Sequence, residues 1–525
     1  MNIVISTRND VWLNNALTNF YRMVNDIQKN YSSICTGRIF PDRVEIEVHD
    51  EDKFVELFMQ KIFDDRDRYI FVEREKNGVS SNTRKDYICL QYGSKVEGRN
   101  VLKESTYSPA DSNTVIKNFL DQYRVINGKR KKERCILCGE EYVKPRNSDG
   151  LKQAVYPLST RNKAMSNIRT DFYKENGSMP REYFKNVCPT CYIMGVLEWC
   201  DPAHVFLTRF DKGSSYLLIP EVARLDELYD FKEFYSKTLY VDNLVSSLKI
   251  KVNRNGEERD EYAYGGYSLL LAFLEEAYSQ YYMFEDRPDT LYFNDWLMME
   301  IPSGNMRDVR PTEIDIDREI LDVIYGCVDK NVYAFKGVID NIRVIKGDGS
   351  FDFSVEPEVK EQMSYCFLRD DFDGFAHAVS PSGSSNVIFL GKDYNNLTNF
   401  IKLWRWEKLK LSDDDYKTTQ QVAAIIARVA EQHSNLLFRL DRVRSISDLL
   451  DLLREVGRRF IFLEEKDRRY LSPGALDRVV EILSKREIDG SEFDDFKNTL
   501  AILSYAYVGR NMKFVDSKEE VSVND

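Results

Sequence analysis

ERCILCGEE, residues 133–141, and NVCPTCY, residues 186–192, each carry a Cys-x-x-Cys pair, with 49 residues between Cys138 and Cys188. Nine cysteines scattered over 525 residues would give roughly a tenth to a fifth of one such pair by chance, so two pairs call for a common cause. A tetrahedral metal site supplies one. Two thiolates on one tight turn bind the same ion, and a second turn completes a closed four-sulfur shell. Gly139 follows Cys138 and Pro189 lies inside the second pair, the local chemistry of a zinc knuckle, where glycine lets backbone amides turn toward sulfur. Cys135, Cys138, Cys188 and Cys191 are therefore expected to hold a structural Zn2+, with a redox dithiol as the alternative. The separation exceeds that of compact zinc ribbons, but loop-closure entropy grows only logarithmically with length. Four cysteines leave no open coordination position and no His-Glu motif stands nearby, so no catalytic role is assigned.

The rest of the chain is read around this insert. Its length predicts several domains. With 43% hydrophobic and 30% charged residues, and no run of roughly 18 apolar residues, no membrane segment is expected. The first residues lack a secretory pattern, so the expected location is cytoplasmic. Cys35, Cys89, Cys200, Cys327 and Cys366 sit among apolar residues as small hydrophobes. A formal charge of −12 argues against coating nucleic acid over the whole surface while leaving room for a local basic face.

The expected fold class is α+β. Residues 1–127 form an α+β amino-terminal region: VWLNNALTNFYRMV has helical spacing with Asp10 as a cap, and DRVEIEVHD alternates Val44, Ile46 and Val48 as a half-buried strand. Residues 128–200 are the polar, Gly- and Pro-broken zinc-binding insert. Residues 201–410 read as a mixed continuation of the amino-terminal body, with strands at HVFLTRF and SYLLIP and helices at YSLLLAFLEEAYSQYYMF and DREILDVIYGCV. Residues 411–515 become poor in Gly and Pro and predict an all-α bundle of four to five helices, three opening with serine as a cap. Residues 516–525 form a charged, flexible tail.

Other chemistry is thinly represented. His49, His204, His377 and His433 are the four histidines, and none lies in a catalytic motif. YGGYS (264–268) reads equally as a ligand loop or as a turn before a buried helix. The acidic clusters FDDRDR, LRDDFDGF and SDDDY read as helix starts and solvated loops; the competing reading is a metal-dependent nuclease or nucleotidyl transferase built on Asp370, Asp371 and Asp373. Among basic residues, Lys129, Arg130, Lys131 and Lys132 directly precede the first pair, and Arg161, Lys163 and Arg169 lie in the insert. On a metal-pinned scaffold these are candidate phosphate contacts.

The opening WLNNALTNFYRMV helix, the pairs Cys135/Cys138 and Cys188/Cys191, the chain length and the order of parts together resemble the large subunit of type I CRISPR surveillance complexes (Cascade), in the variety named for its two CXXC motifs, type I-B or I-A-like. Asn15-Ala16-Leu17 departs from that family's usual Ala-Gly pattern after the tryptophan. The resemblance implies a non-catalytic subunit that binds the crRNA 5′ handle, recognises the protospacer-adjacent motif in double-stranded target DNA, supports R-loop formation and recruits the helicase-nuclease. It implies as partners the crRNA, the target duplex and its displaced single strand, and the backbone, crRNA-processing and small Cascade subunits, the last resembling the carboxy-terminal bundle. In such guided recognition, base pairing reads most of the sequence and protein reads a short duplex signal.

Overall fold

Along the first 64 residues the apolar period alternates between two and about 3.6, so strand and helix alternate. In the computed structural model β1 (Asn2–Ser6), β2 (Cys35–Phe40) and β3 (Arg43–Val48) form an antiparallel sheet in the order β1-β3-β2, with Val4 opposite Glu45 and Ile39 opposite Val44. The structure describes residues 1–64 except 9, 71–74, 86–89, 95–97, 116–124, 132–144 except 136, 187–199, 201–207 except 202 and 204, 215–238, 249–262 except 255 and 256, 265–282, 294–301, 310–346, 351–380 except 353, 385–389, 394–464 except 410 and 434, 468, 471–485 and 490–511.

Ile3, Ile5, Val44, Ile46 and Val48 point from this sheet into one core. Against them lies α1 (Val11–Asn30), which buries Trp12, Leu13, Ala16, Leu17, Phe20, Met23, Val24 and Ile27. The Asp10 carboxylate accepts from the Leu13 amide and starts the helix as the sequence predicts. Helix and sheet approach closely at Gly37, where a Cβ would stand 2.9 Å from Val24 Cγ1, so β2 has glycine at its contact with α1. Helix α2 (Glu51–Asp64) adds Phe54 and Phe58, with the Phe58 ring 5.4 Å from Phe20.

The chain divides into two compact units, residues 1–262 with 288–315, and residues 263–287 with 316–525. The stretch 201–410, read from sequence as one continuation, is thus shared between them. The metal-ligand region is likewise not a separate body: Cys135, Tyr142, Val187, Cys188, Cys191 and Ile193 belong to the same hydrophobic cluster as Trp12 and Phe20. Within the first unit, β7 (Lys132–Arg134) and β8 (Glu141–Val143) form a hairpin; the small sheet β4 (Phe71–Arg74), β5 (Asp86–Cys89) and β6 (Lys95–Glu97) precedes it. Next come α3 (Pro189–Trp199), β9 (Val205–Leu207), β10 (Ser215–Glu221), α4 (Leu225–Thr238), the hairpin β11 (Lys249–Arg254) and β12 (Glu257–Tyr262), then β13 (Asp295–Ile301) and β14 (Arg310–Asp315). Strands β14-β13-β10-β9 form a second antiparallel sheet.

The second unit opens on α5 (Gly266–Tyr282), a helix apolar on nearly every face that buries residues 269–274, Ala277 and Tyr278. It packs against α6 (Arg318–Asp329) and α7 (Glu356–Leu368), and the unit also contains α8 (Phe372–Val379), α9 (Tyr394–Ile401) and the hairpin β15 (Ile342–Lys346) with β16 (Ser385–Phe389). The carboxy-terminal region is helical as expected: α10 (Asp413–Gln432), α11 (Asn435–Asp441), α12 (Ile446–Phe460), α13 (Gly474–Lys485) and α14 (Gly490–Asn511). Ser445 caps α12 through the Asp448 amide, whereas α14 starts one residue before Ser491. A further serine, Ser412, forms a capping box with Asp415 at the head of α10. No boundary falls at residue 411, because α14 also packs on α8 and β16. The tail 516–525 lies outside the described residues.

YGGYS has a structural answer. The Glu361 carboxylate on α7 accepts from the amides of Gly265 (3.1 Å), Tyr267 (2.9 Å) and Ser268 (3.0 Å) and from Ser268 Oγ (2.6 Å), so the exposed donors of the α5 amino terminus are satisfied from another helix. A Cβ on Gly265 would sit 2.5 Å from this carboxylate. A second carboxylate, Glu275, is fully buried on α5 and accepts from Phe335 N (2.6 Å) and Lys336 N (3.2 Å) at the head of a π-helical turn, Ala334–Ile339. Burial pushes its pKa up to about 7, against the opposing pull of those amides.

Two outcomes follow. Gly265→Ala should destabilise the second unit by about 1–3 kcal/mol through overpacking, seen as faster hydrogen exchange across 266–282 in the full chain; unchanged exchange would refute the cap. Because Glu275 binds its proton more tightly when folded, its contribution is complete below pH about 4.5 and is lost as pH rises through about 7, a change of about 3 kcal/mol. Glu275→Gln should flatten that part of the urea-midpoint profile between pH 5 and 8.

Candidate metal centre

The first Cys-x-x-Cys pair lies in the turn between β7 and β8. There the Cys135 amide donates to Glu140 O (2.8 Å) and the Gly139 amide donates to Cys135 O (2.9 Å). Closing so tight a turn places Gly139 at φ +74°, the left-handed region that glycine enters without a Cβ penalty. The Glu140 amide in turn points at the Cys138 sulfur, as the knuckle reading anticipates.

The second pair is built differently, on a helix start. Pro189 opens α3, where its missing N–H costs nothing. Cys188 stands just before it, and its sulfur accepts from the Cys191 amide (3.4 Å), so the thiol acts as the helix cap. The positive end of the α3 dipole then faces the sulfurs. A cross-link joins the halves directly, since the Cys188 amide donates to Cys135 Sγ (3.3 Å).

Both halves rest on α1. Helix α3 packs along it, with Asn19 Nδ2 donating to Leu197 O (2.7 Å), and α4 holds the far end through the buried Lys232, which donates to Asn15 O (3.1 Å) and Asp201 Oδ2 (2.6 Å). The knuckle is tied to the same helix through Arg8. Its amide donates to Asn14 Oδ1 (2.7 Å), Asn14 Nδ2 donates back to Arg8 O (2.8 Å), and its guanidinium grips Glu140 with Nη1–Oε1 2.6 Å and Nη2–Oε2 3.0 Å. Helical residues 116–121 and the following turn close the side, where Tyr123 Oη lies 3.1 Å from Thr190 Oγ1.

The four sulfurs all fall within 4.8 Å of one another, three of them on buried residues. A tetrahedral ion with metal–sulfur bonds of about 2.3 Å requires sulfurs about 3.8 Å apart, and Cys138 Sγ lies 3.8 Å from Cys188 Sγ. The residues fit such an ion, and the four cysteines could hold one. Their mutual influence points the same way. Hydrogen bonding from Cys138, Cys188 and Cys191 holds the Cys135 pKa far below the usual thiol range; Cys138 is raised by Cys135 yet lowered on balance by Cys188 and Cys191; and hydrogen bonding to Cys135 and Cys138, with burial, pushes Cys188 and Cys191 far up. Cys135 and Cys138 are thus held toward the thiolate form that a metal binds.

The other expected site residues fare differently. Of the basic set, Lys132 is an exposed β7 residue with Nζ 3.5 Å from Glu141 Oε2 across the hairpin; Lys129, Arg130, Lys131, Arg161, Lys163 and Arg169 lie outside the described residues. The acidic trio is engaged in the fold. Asp370 accepts from Arg405 (2.7 Å) and Trp404 Nε1 (2.8 Å), Asp371 caps α8 through the Gly374 amide (2.8 Å), and Asp373 accepts from Asn498 (3.1 Å). Among the described residues, the four cysteines form the one group of three or more His, Cys, Asp or Glu that could hold a metal. No described helix is long and apolar enough to cross a membrane. Arg8 and its hold on Glu140 were not legible from sequence, since 131 residues separate them and neither belongs to a motif.

Cys188→Ser should abolish metal retention, measured by elemental analysis of the purified chain. With metal at a thousandfold excess over its dissociation constant, the parent gains about 4 kcal/mol. Hydrogen exchange in 11–30 and 189–199 should therefore accelerate on chelation, while 413–511 stays unchanged.

No protein-family model matches this chain, and no curated protein matches it.

Proposed function

We propose that the chain is the non-catalytic large subunit of a type I CRISPR RNA-guided surveillance complex and that its four cysteines hold a structural Zn2+. The observation that carries this reading is the union of the features on which the resemblance rests. The Trp12–Leu13 helix and both Cys-x-x-Cys pairs belong to one hydrophobic cluster, so the motifs act as a single structural device. Zinc is the ion that a closed, redox-silent four-thiolate shell suits best.

On this reading the metal pins a polar insert whose basic residues, Lys129 to Lys132, Arg161, Lys163 and Arg169, meet phosphate oxygens of the crRNA handle or of the target duplex. Base pairing by the guide supplies most of the sequence reading, and this subunit contributes the motif check and holds opened strands. The five carboxy-terminal helices are in keeping with the small-subunit-like part of such a protein. A net charge of −12 is compatible with this role when the basic residues gather on the face turned to nucleic acid.

The test is purification of the tagged chain with its native partners: a discrete small RNA should copurify, and partners without RNA would overturn the proposal. Labelled DNA incubated with the chain and magnesium or manganese should remain intact; cleavage abolished by Asp370→Ala would instead support the nuclease reading. Charge reversal of the seven basic residues should weaken DNA binding by the assembled complex at least about tenfold and lower its salt dependence.

A further inference from the structure

Four thiolates around a divalent ion carry a net charge of −2, and that charge sits in the buried core of the first unit. An uncompensated charge there is costly, and a cation beside the sulfurs offsets it. Among the described residues Arg8 is a cation so placed. Its side chain is 14% exposed, and it lies within electrostatic reach of Cys138 and Cys191, one sulfur from each pair.

The geometry gives Arg8 a second task. Glu140, gripped by both guanidinium nitrogens, is the residue whose carbonyl accepts from the Cys135 amide and whose own amide points at the Cys138 sulfur. Arg8 is itself fixed to the first turn of α1 by the two reciprocal hydrogen bonds with Asn14. A continuous chain of polar contacts therefore runs from α1 through Asn14, Arg8 and Glu140 to the knuckle, while the other pair reaches α1 by packing of α3.

We propose that Arg8 is the outer positioning residue of the metal centre, offsetting the charge of the four-thiolate cluster and aligning the Cys135/Cys138 turn through Glu140. The inference rests on the reading of the four cysteines as a zinc site. Loss of an outer-sphere partner lowers metal affinity typically by 10–100-fold, and Arg8→Gln should fall in that range. Arg8→Lys keeps the charge but lacks the planar two-pronged fork, so it should recover part of the loss. Glu140→Gln leaves the arginine charge in place while weakening the grip, and should cost less than Arg8→Gln.

The experiment uses the full chain loaded with zinc and competed with a chromogenic chelator, in parallel with cobalt(II)-substituted protein. Expected are a weaker zinc affinity in the order parent, Arg8→Lys, Arg8→Gln, and a displaced thiolate-to-cobalt charge-transfer band in Arg8→Gln with tetrahedral d–d intensity retained. Equal zinc affinity in parent and Arg8→Gln would overturn the proposal and leave the metal reading standing. A parent chain that takes up neither zinc nor cobalt would overturn the metal reading itself. Should Arg8→Gln fail to fold, the comparison of Arg8→Lys and Glu140→Gln with the parent decides the matter, and identical affinities in those three overturn it.

Discussion

The first unit depends on bringing two sulfur-bearing turns, 49 residues apart, onto one helix. A Cys-x-x-Cys turn is too small to find its partner by its own contacts, and closing a loop of that length costs entropy before any sulfur meets an ion. Helix α1 removes much of that cost. It receives the knuckle through the Arg8–Glu140 grip and the helix-borne pair through α3, and both partners sit on its apolar and polar contacts independently of the cluster. The fold thus preassembles a site that the thiols alone could not gather.

Preassembly sets the physical state of the cysteines. Three are buried, and their mutual hydrogen bonding holds Cys135 and Cys138 low and Cys188 and Cys191 high. A divalent ion binds all four as thiolates and displaces the protons that remain. The same principle of satisfying a concentrated charge recurs in the second unit without any metal. The Glu361 carboxylate takes up the amides around Gly265, and Glu275 takes up those at Phe335 and Lys336. In each case a carboxyl group is aimed at backbone donors freed where a helix begins. The YGGYS stretch, which reads from sequence equally as a ligand loop or as a turn before a buried helix, is filled by the protein's own side chain.

How much of this was legible in the sequence depends on the range of the interaction. Local periodicity revealed α1, β3, α5, α6 and the helical carboxy terminus, since these elements are written in apolar spacing. Asp10 and Ser445 were legible as caps for the same reason. The cysteine set was legible because four thiols at paired spacing have few other uses. Strands β1 and β2 were not: NIVIS and CTGRIF are too short, and β2 carries Gly37, a residue disfavoured in strands but demanded by the approach of Val24. Nor was the division into units, because α5 leaves the first unit, packs among α6 and α7, and the chain then returns for β13 and β14. Pairings such as Gly265 with Glu361, 96 residues apart, have no local signature.

The acidic cluster shows why residue type alone is a weak guide to chemistry. Asp370, Asp371 and Asp373 lie within four consecutive positions, a density that invites a metal. Yet they face three different duties: Asp370 neutralises Arg405, which also lies over the rings of Phe372 and Trp404; Asp371 starts a helix; Asp373 meets Asn498 on α14. Carboxylates one or two residues apart across a turn into a helix point in different directions, so they converge on an ion only when the backbone is shaped for it. The cysteines differ in this respect. A two-residue spacer inside a knuckle or at a helix start returns both side chains to one side, and it is this return, rather than the count of possible ligands, that separates a binding site from a charged turn.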